Sequence, residues 1–330
     1  MSIILHKQWY FAAGYLGEKV IRYALVLFVV TTLNFLIPRL MPGNPIINIL
    51  GEEVYYLAPE LVQELKAEFG LDRPLFEQFG RYLVNTVKGH WGFSYHYLQP
   101  VWEVILFRLR WTLVLLIPSI IFGALLAVFW GVVAGGKKNT RLDTGLTSLS
   151  LFLYAMPHYW LAMLAVLVFS CYLGIFPLGG VSSGNLTSWG YVFDVLRHAF
   201  LPLAVLTAFK AAYDFLIVRN SVISICGEDY ILMARAKGLA APVVLFKHIL
   251  KNALAPLVTV TALQFGFMVS GVLLVEMVFS WPGMGTLLYD AVLARDYPLL
   301  QAGFFMVAVC VLVANFLADL TYAWLDPRLR

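Results

Sequence analysis

Charge is what this chain has least of. Charged residues make up 13% of its 330 positions, about half the roughly 25% of a soluble domain. A large soluble core is excluded by run length as well, because several apolar stretches reach the roughly 20 residues that cross a bilayer. Cysteine is scarce. Cys171, Cys226 and Cys310 are odd in number and lack metal-type spacing, which argues against a disulfide framework and reads as three free thiols. The histidines His6, His90, His96, His158, His198 and His248 are scattered. H-E-x-x-H and G-x-S-x-G are both missing, so no catalytic constellation stands out. Internal repeats of about 20–50 residues are missing too, which counts against a secondary transporter built from inverted halves. The net charge of +4 is modest, and no nucleic-acid partner is expected.

One motif is almost present. "GVVAGGKK" (131–138) matches a phosphate-cradling loop up to its last position. There Lys138 stands where a Ser or Thr hydroxyl must hold Mg²⁺, and the run closes an apolar span instead of following a strand. It reads as a span end with glycines and lysines. Any ATP must then be used by a partner.

What is abundant is apolar sequence, in six runs: about 20–40, 112–135, 145–172 with Pro157 inside it, 200–222, 253–279 and 299–323. The expected fold class is an all-α polytopic membrane protein with six transmembrane helices. The first run has a basic lead but no small-residue cleavage site, so it reads as an uncleaved anchor. Lys7, Lys19 and Arg22 precede that run, and Lys137, Lys138 and Arg141 follow the second. Arg219, Arg235, Lys237, Lys247 and Lys251 flank or occupy the loop after the fourth, and Arg328 and Arg330 end the chain. The two short loops of the other face hold only Arg197 and Arg295. The positive-inside rule therefore places both termini and the 223–252 loop in the cytoplasm.

The organisation expected is 1–40, a cytoplasmic N-terminus and first helix; 41–111, an external subdomain; and 112–330, a five-helix core. In the external part, "APELVQELKAEFG" reads as a helix. Pro59 suits its first turn, Leu61, Leu65 and Phe69 recur every four residues, and Gly70 can end it. "RPLFEQFGRYLVNTVKG" reads as a second helix. The pair suits either a cap over helix ends or a docking surface.

Two polar features remain. Lys210 and Asp214 lie four residues apart in the fourth run, on one helix face. A lone charge there costs ~2.5–3.5 kcal/mol or more, which a facing pair reduces. A translocation lining and a structural packing pair both fit, and the same two readings apply to Glu276, Asn315 and Asp319. The other feature is "EDYILMARAKGLAAPVVLFKHILKNALAP" (228–256). Acidic residues first and basic residues last suit a helix macrodipole. Gly238 can stop that helix and Pro242 can start the next. Ile231, Leu232, Met233 and Leu239 are its apolar knobs. Such a helix fits a groove on another protein or a bed of lipid headgroups.

The same stretch resembles the cytoplasmic loop of permease subunits of the peptide-class ABC importers, which carry dipeptides, oligopeptides or nickel. The resemblance lies in Glu228-Asp229-Tyr230, Ala234-Arg235-Ala236-Lys237-Gly238-Leu239, His248 and Asn252-Ala253-Leu254-Ala255-Pro256. The broader importer pattern of Glu-Ala-Ala, three residues, then Gly is met only at Ala234 and Gly238. "MPGNP" (41–45), "EFGLDRPLFEQF" (68–79), "FPLGG" (176–180), "VEMVFSWPGMG" (275–285), "ARDYPLLQ" (294–301) and "ADLTYAWLDPRLR" (318–330) also fit the family in order. Asn44 replaces an acid, and His90 in "GHWGFSY" replaces an Asp. The resemblance implies a type I ABC importer permease fold with an external helical segment after the first helix, in the cytoplasmic membrane of a prokaryote. It further implies a second homologous permease, two ABC ATPase subunits holding ATP and Mg, and an external substrate-binding protein. This chain would be the first permease of the pair. It would have no catalytic, metal or cofactor residues, and its ATPase contact would lie at Glu228, Asp229, Tyr230, Ala234, Arg235, Ala236, Lys237, Gly238 and Leu239. Peptides are the default cargo, with an oligosaccharide or nickel complex as the other options. The alternative is a stand-alone secondary transporter or channel, with Lys210 and Asp214 at its coupling site.

Overall fold

In lipid a long apolar run must bond its own backbone polar groups, and the helix does so within one segment. The computed structural model describes residues 2–40, 46–47, 52–68, 72–184 and 188–325. Among the described residues it has no strand, only an isolated antiparallel bridge between Phe93 and Pro100. The helices are α1 (Ser2–Leu40), α2 (Glu52–Leu57), α3 (Pro59–Glu68), α4 (Leu75–Lys88), α5 (Val101–Gly136), α6 (Arg141–Ala155) and α7 (His158–Ala165). They continue with α8 (Ser188–Cys226), α9 (Asp229–Ala236), α10 (Ala241–Val243), α11 (Lys251–Val278), α12 (Met284–Ala294) and α13 (Tyr297–Leu325). π-helical turns at Val166–Tyr172 extend α7, and those at Val244–Leu250 join α10 to α11. The "MPGNP" turn, the Gly70 stop and residues 326–330 lie outside the described residues, as does the side chain of Asp319.

Among the described residues five stretches are long and apolar enough to cross a membrane: Lys19–Ile37, Val101–Gly136, Trp189–Cys226, Ala241–Val258 and Tyr297–Leu317. A sixth is counted if the bent pair α6–α7 is one span. The run expected over 145–172, with Pro157 inside it, forms as two helices. The pair bends by 102°. Met156 is extended at φ −81°, ψ 136°, as a residue before proline prefers, because the pyrrolidine ring crowds the α region. Pro157 then opens the second half, accepting bonds from the N–H groups of Trp160 and Leu161 at 3.0 and 3.2 Å.

The chain forms two compact units. The first joins Met1–Arg110 to Gly283–Val313. Asp296, fully buried, bonds the two segments of this unit to each other. Its carboxylate accepts bonds from Ser94 Oγ (2.5 Å) and the His96 N–H (3.1 Å) while it caps α13 through the Leu299 N–H (3.2 Å). Tyr97 Oη adds a 3.1 Å bond to Asp290.

The second unit holds Trp111–Pro282 and Ala314–Leu329. Here α5 packs closely on α8. A Cβ at Gly131 or Gly135 would stand 2.8 Å from the Cβ of Val218 or Val222 respectively. The near-miss phosphate loop is thus a small-xxx-small packing notch of the kind that lets membrane helices approach closely. The "FPLGG" segment also closes on the end of α11: the Gly180 N–H bonds the Phe279 carbonyl at 2.9 Å.

Candidate functional site

The loop between α8 and α11 is built as helix, glycine, turn, helix. Glu228 is the N-cap of α9 by backbone conformation, with no side-chain capping bond, and Asp229 lies in the first turn. α9 ends when Gly238 adopts φ +75°. The Gly238 N–H reaches the Arg235 carbonyl at 2.9 Å, and the Leu239 N–H reaches that of Ala234 at 3.4 Å. That nested pair is a Schellman stop, whose left-handed residue favours glycine. Pro242 sits in the first turn of α10, where its missing N–H costs nothing.

α9 has two faces. Ile231 and Ala234 are buried against Val218 and Val222 of α8, and against Val244, Ile249, Ala253 and Leu257 beyond the turn. Val218 and Val222 are the residues that fill the Gly131 and Gly135 notch, so α9 rests on the α5–α8 contact. Tyr230, Leu232, Met233 and Leu239 are exposed, together with Val243 and Phe246. Of the expected knobs, Ile231 is therefore an anchor turned inward. Arg235, Ala236 and Lys237 face solvent as well. Asn252 ties the ends of the loop together, donating to Tyr230 Oη (3.0 Å) and to the His248 carbonyl (2.9 Å).

Sequence reasoning missed Asp143. Its carboxylate takes a two-pronged bond from Arg219, at 2.5 Å from Nε and 2.7 Å from Nη2, and also accepts from the Asn139 N–H at 3.0 Å. Thr140 Oγ1 caps the same helix, bonded by the Asp143 N–H at 3.3 Å. The signal was present in "TRLD", a Thr-x-x-Asp start of helix. Its partner, far along the chain, left no local trace.

Lys210 and Asp214 meet each other. The ammonium lies 2.5 Å from Asp214 Oδ2 and 3.0 Å from Thr261 Oγ1, and the two residues are 1% and 0% exposed. Glu276, also buried, accepts from Thr112 Oγ1 at 2.6 Å. All three candidate pathway residues thus have partners and are shielded from solvent.

The scattered histidines hide one local cluster. Ser183 Oγ lies 3.4 Å from His198 Nε2 and 3.3 Å from Asp194 Oδ1. The carboxylate also accepts from Ser182 Oγ (2.8 Å) and the Ser183 N–H (2.6 Å), and His198 Nδ1 lies 2.8 Å from the Asp194 carbonyl. The acid binds the hydroxyls directly, and its Oδ1 also lies 3.5 Å from His198 Nδ1. It clasps the loop to α8. In the first unit a cleft of 410 Å³ is lined by Arg39, Arg81, Tyr82, His90 and Trp91 among others. Burial pushes the Tyr82 phenol up to about 12, so it stays a neutral hydroxyl. Among the described residues no group of acidic, His and Cys side chains could hold a metal ion.

A family model described as binding-protein-dependent transport system inner membrane component matches residues 127–330, and a companion N-terminal model matches 14–116. The di/tripeptide transport system permease protein DppB of Pseudomonas aeruginosa is 34% identical over 92% of this chain and 94% of its own length. The dipeptide permease DppB of Escherichia coli K12 is 35% identical over 91% and 94%. The oligopeptide permease AppB of Bacillus subtilis is 34% identical over 96% and 99%. A crystal structure of an amino acid ABC transporter with histidines covers 67% of this chain and 93% of its own, at a TM-score of 0.50 and 15% identity, a likeness of fold alone.

Proposed function

The chain belongs to the binding-protein-dependent transport system inner membrane component family, and from that premise we propose that it is the first permease of a heterodimeric, ATP-driven peptide importer. The second permease is a homologous chain. Two ABC ATPase subunits hold ATP and Mg, and an external binding protein delivers the cargo. The protein spans the cytoplasmic membrane of a prokaryote with both termini inside, and 41–111 forms an external subdomain. Peptides are favoured as cargo by the names of the three relatives above, each a peptide permease.

The observation that carries this reading is the two-faced α9. Its inner face is anchored by Ile231 and Ala234, while its outer face offers Tyr230, Leu232, Met233 and Leu239 beside Arg235 and Lys237. A rigidly seated helix with apolar knobs and a basic end suits insertion into a cleft on an ATPase. Closure of the ATPases on ATP would then displace 223–252 and, through it, the helices it rests on. The buried, partnered state of Lys210, Asp214 and Glu276 favours packing locks over a pathway lining. The test is expression with candidate ATPase subunits in detergent. A tagged permease should bring down an ATPase and a second permease, and the ATPase yield should fall when Arg235 is changed to Glu. Uptake by this chain alone, in ATP-free liposomes, would overturn the reading.

A further inference from the structure

The Asp143–Arg219 contact does more than hold two helices together. Arg219 lies about two turns before the end of α8, and its neighbours Val218 and Val222 carry the buried face of α9. The end of α8 and the loop that follows it therefore share one core. From the side of that core Arg219 extends a fork to Asp143, in the first turn of α6. Such a planar, two-bond contact fixes direction as well as distance, unlike a point charge. Asp143 is itself held. It is 1% exposed, and it is bonded by the Asn139 N–H and by Thr147 Oγ1 at 3.5 Å. α6 then runs as one rod into the 102° bend at Met156–Pro157. Beside that bend Tyr154 packs on Tyr213, with ring centroids 5.0 Å apart.

We propose that the Asp143–Arg219 pair is a strut that transmits movement of the α8–α11 loop into the broken span α6–α7, making both positioning residues for transport. This rests on reading that loop as the ATPase contact. No other acidic group is hydrogen-bonded to the Arg219 guanidinium among the described residues; its remaining side-chain partner is Asn220 Oδ1, at 3.0 Å. The buried acid thus depends on one cation, and that cation stands at the root of the loop.

The experiment uses the whole transporter in proteoliposomes with its binding protein and labelled di-alanine as probe. It records uptake, ATP hydrolysed and ATPase retained per permease. Asp143→Asn keeps the acceptor for the Asn139 N–H and loses the charge. Arg219→Gln removes the fork. Each should retain the ATPase and its basal hydrolysis while uptake per ATP falls about ten-fold, the effect of a coupling near 1.4 kcal/mol. The double variant should be no worse than either single. Arg219→Lys, which keeps the charge and guards against a folding defect, should fall in between. Wild-type uptake per ATP in the single variants would overturn the strut. So would a double loss equal to the product of the two single losses. Loss of ATPase binding in Arg219→Lys would make the pair a folding element only. A wild-type permease that brings down no ATPase would instead overturn the importer reading.

Discussion

At the scale of single residues, burial decides which charges can be touched. Removing one member of a buried ion pair strands the other and costs about 3–5 kcal/mol, whereas replacing both by apolar groups is often neutral. Lys210→Met should therefore sharply lower the thermal inactivation midpoint of the solubilised complex. Adding Asp214→Leu should restore most of it. If the pair is a packing lock, the double variant also keeps uptake; a stable double variant without uptake would return both residues to the pathway. Gly238 poses the opposite problem. A Cβ there would meet nothing within 4 Å, so any cost comes from φ +75° alone. Gly238→Ala should lose about 1–2 kcal/mol from the α9 stop, while Gly238→Asn, which visits the left-handed region more readily, should lose less. ATPase yield in a pull-down should rank Gly, Asn, Ala. Equal yields would separate the turn from the contact.

At the scale of elements, α9 shows why its inward face was hidden in the sequence. Ile231, Leu232 and Met233 are consecutive and all apolar, so a helix of eight residues carries no stripe to read. Only the partners on α8 and beyond the turn select Ile231 as the anchor. Ile231→Ala should thus destabilise by about 2–5 kcal/mol, seen as a lower melting temperature. Leu232→Ala and Met233→Ala, on the exposed face, should stay within about 0.5 kcal/mol and still reduce ATPase yield. A melting shift in the latter pair would mean that the outer face is covered within this chain. The third span shows a different limit. Its hydrophobic length was legible and so was Pro157, but proline alone does not say whether a helix kinks or breaks. Extended Met156 makes it a break.

At the scale of the whole molecule, the six apolar runs and the helix–glycine–turn–helix loop were legible because run length and punctuation are local. The Arg219–Asp143 fork, the Val218 and Val222 fillers of the glycine notch and the grouping of Gly283–Val313 with Met1–Arg110 were not. Each joins residues far apart in the chain, where no spacing rule reaches. Asp296 illustrates this best. In sequence it is one acid in "ARDYP"; in the fold it is fully buried and gathers bonds from Ser94, His96 and Leu299. Those bonds cap α13 and pin the segment that starts "GHWGFSY". A hydrogen bond to a buried charge contributes about 1.5–3 kcal/mol, so Asp296→Ala should release that segment. Chymotrypsin should then cut faster at Phe93, Tyr95 or Tyr97 in the intact, membrane-embedded protein. Asp296→Asn, which keeps an acceptor for the Leu299 N–H, should be intermediate, and Ser94→Ala milder still. Cleavage as slow as wild type in Asp296→Ala would mean that the first unit is held by its apolar contacts, such as buried Met284, Leu287, Leu288 and Ala291 of α12, and not by this acid.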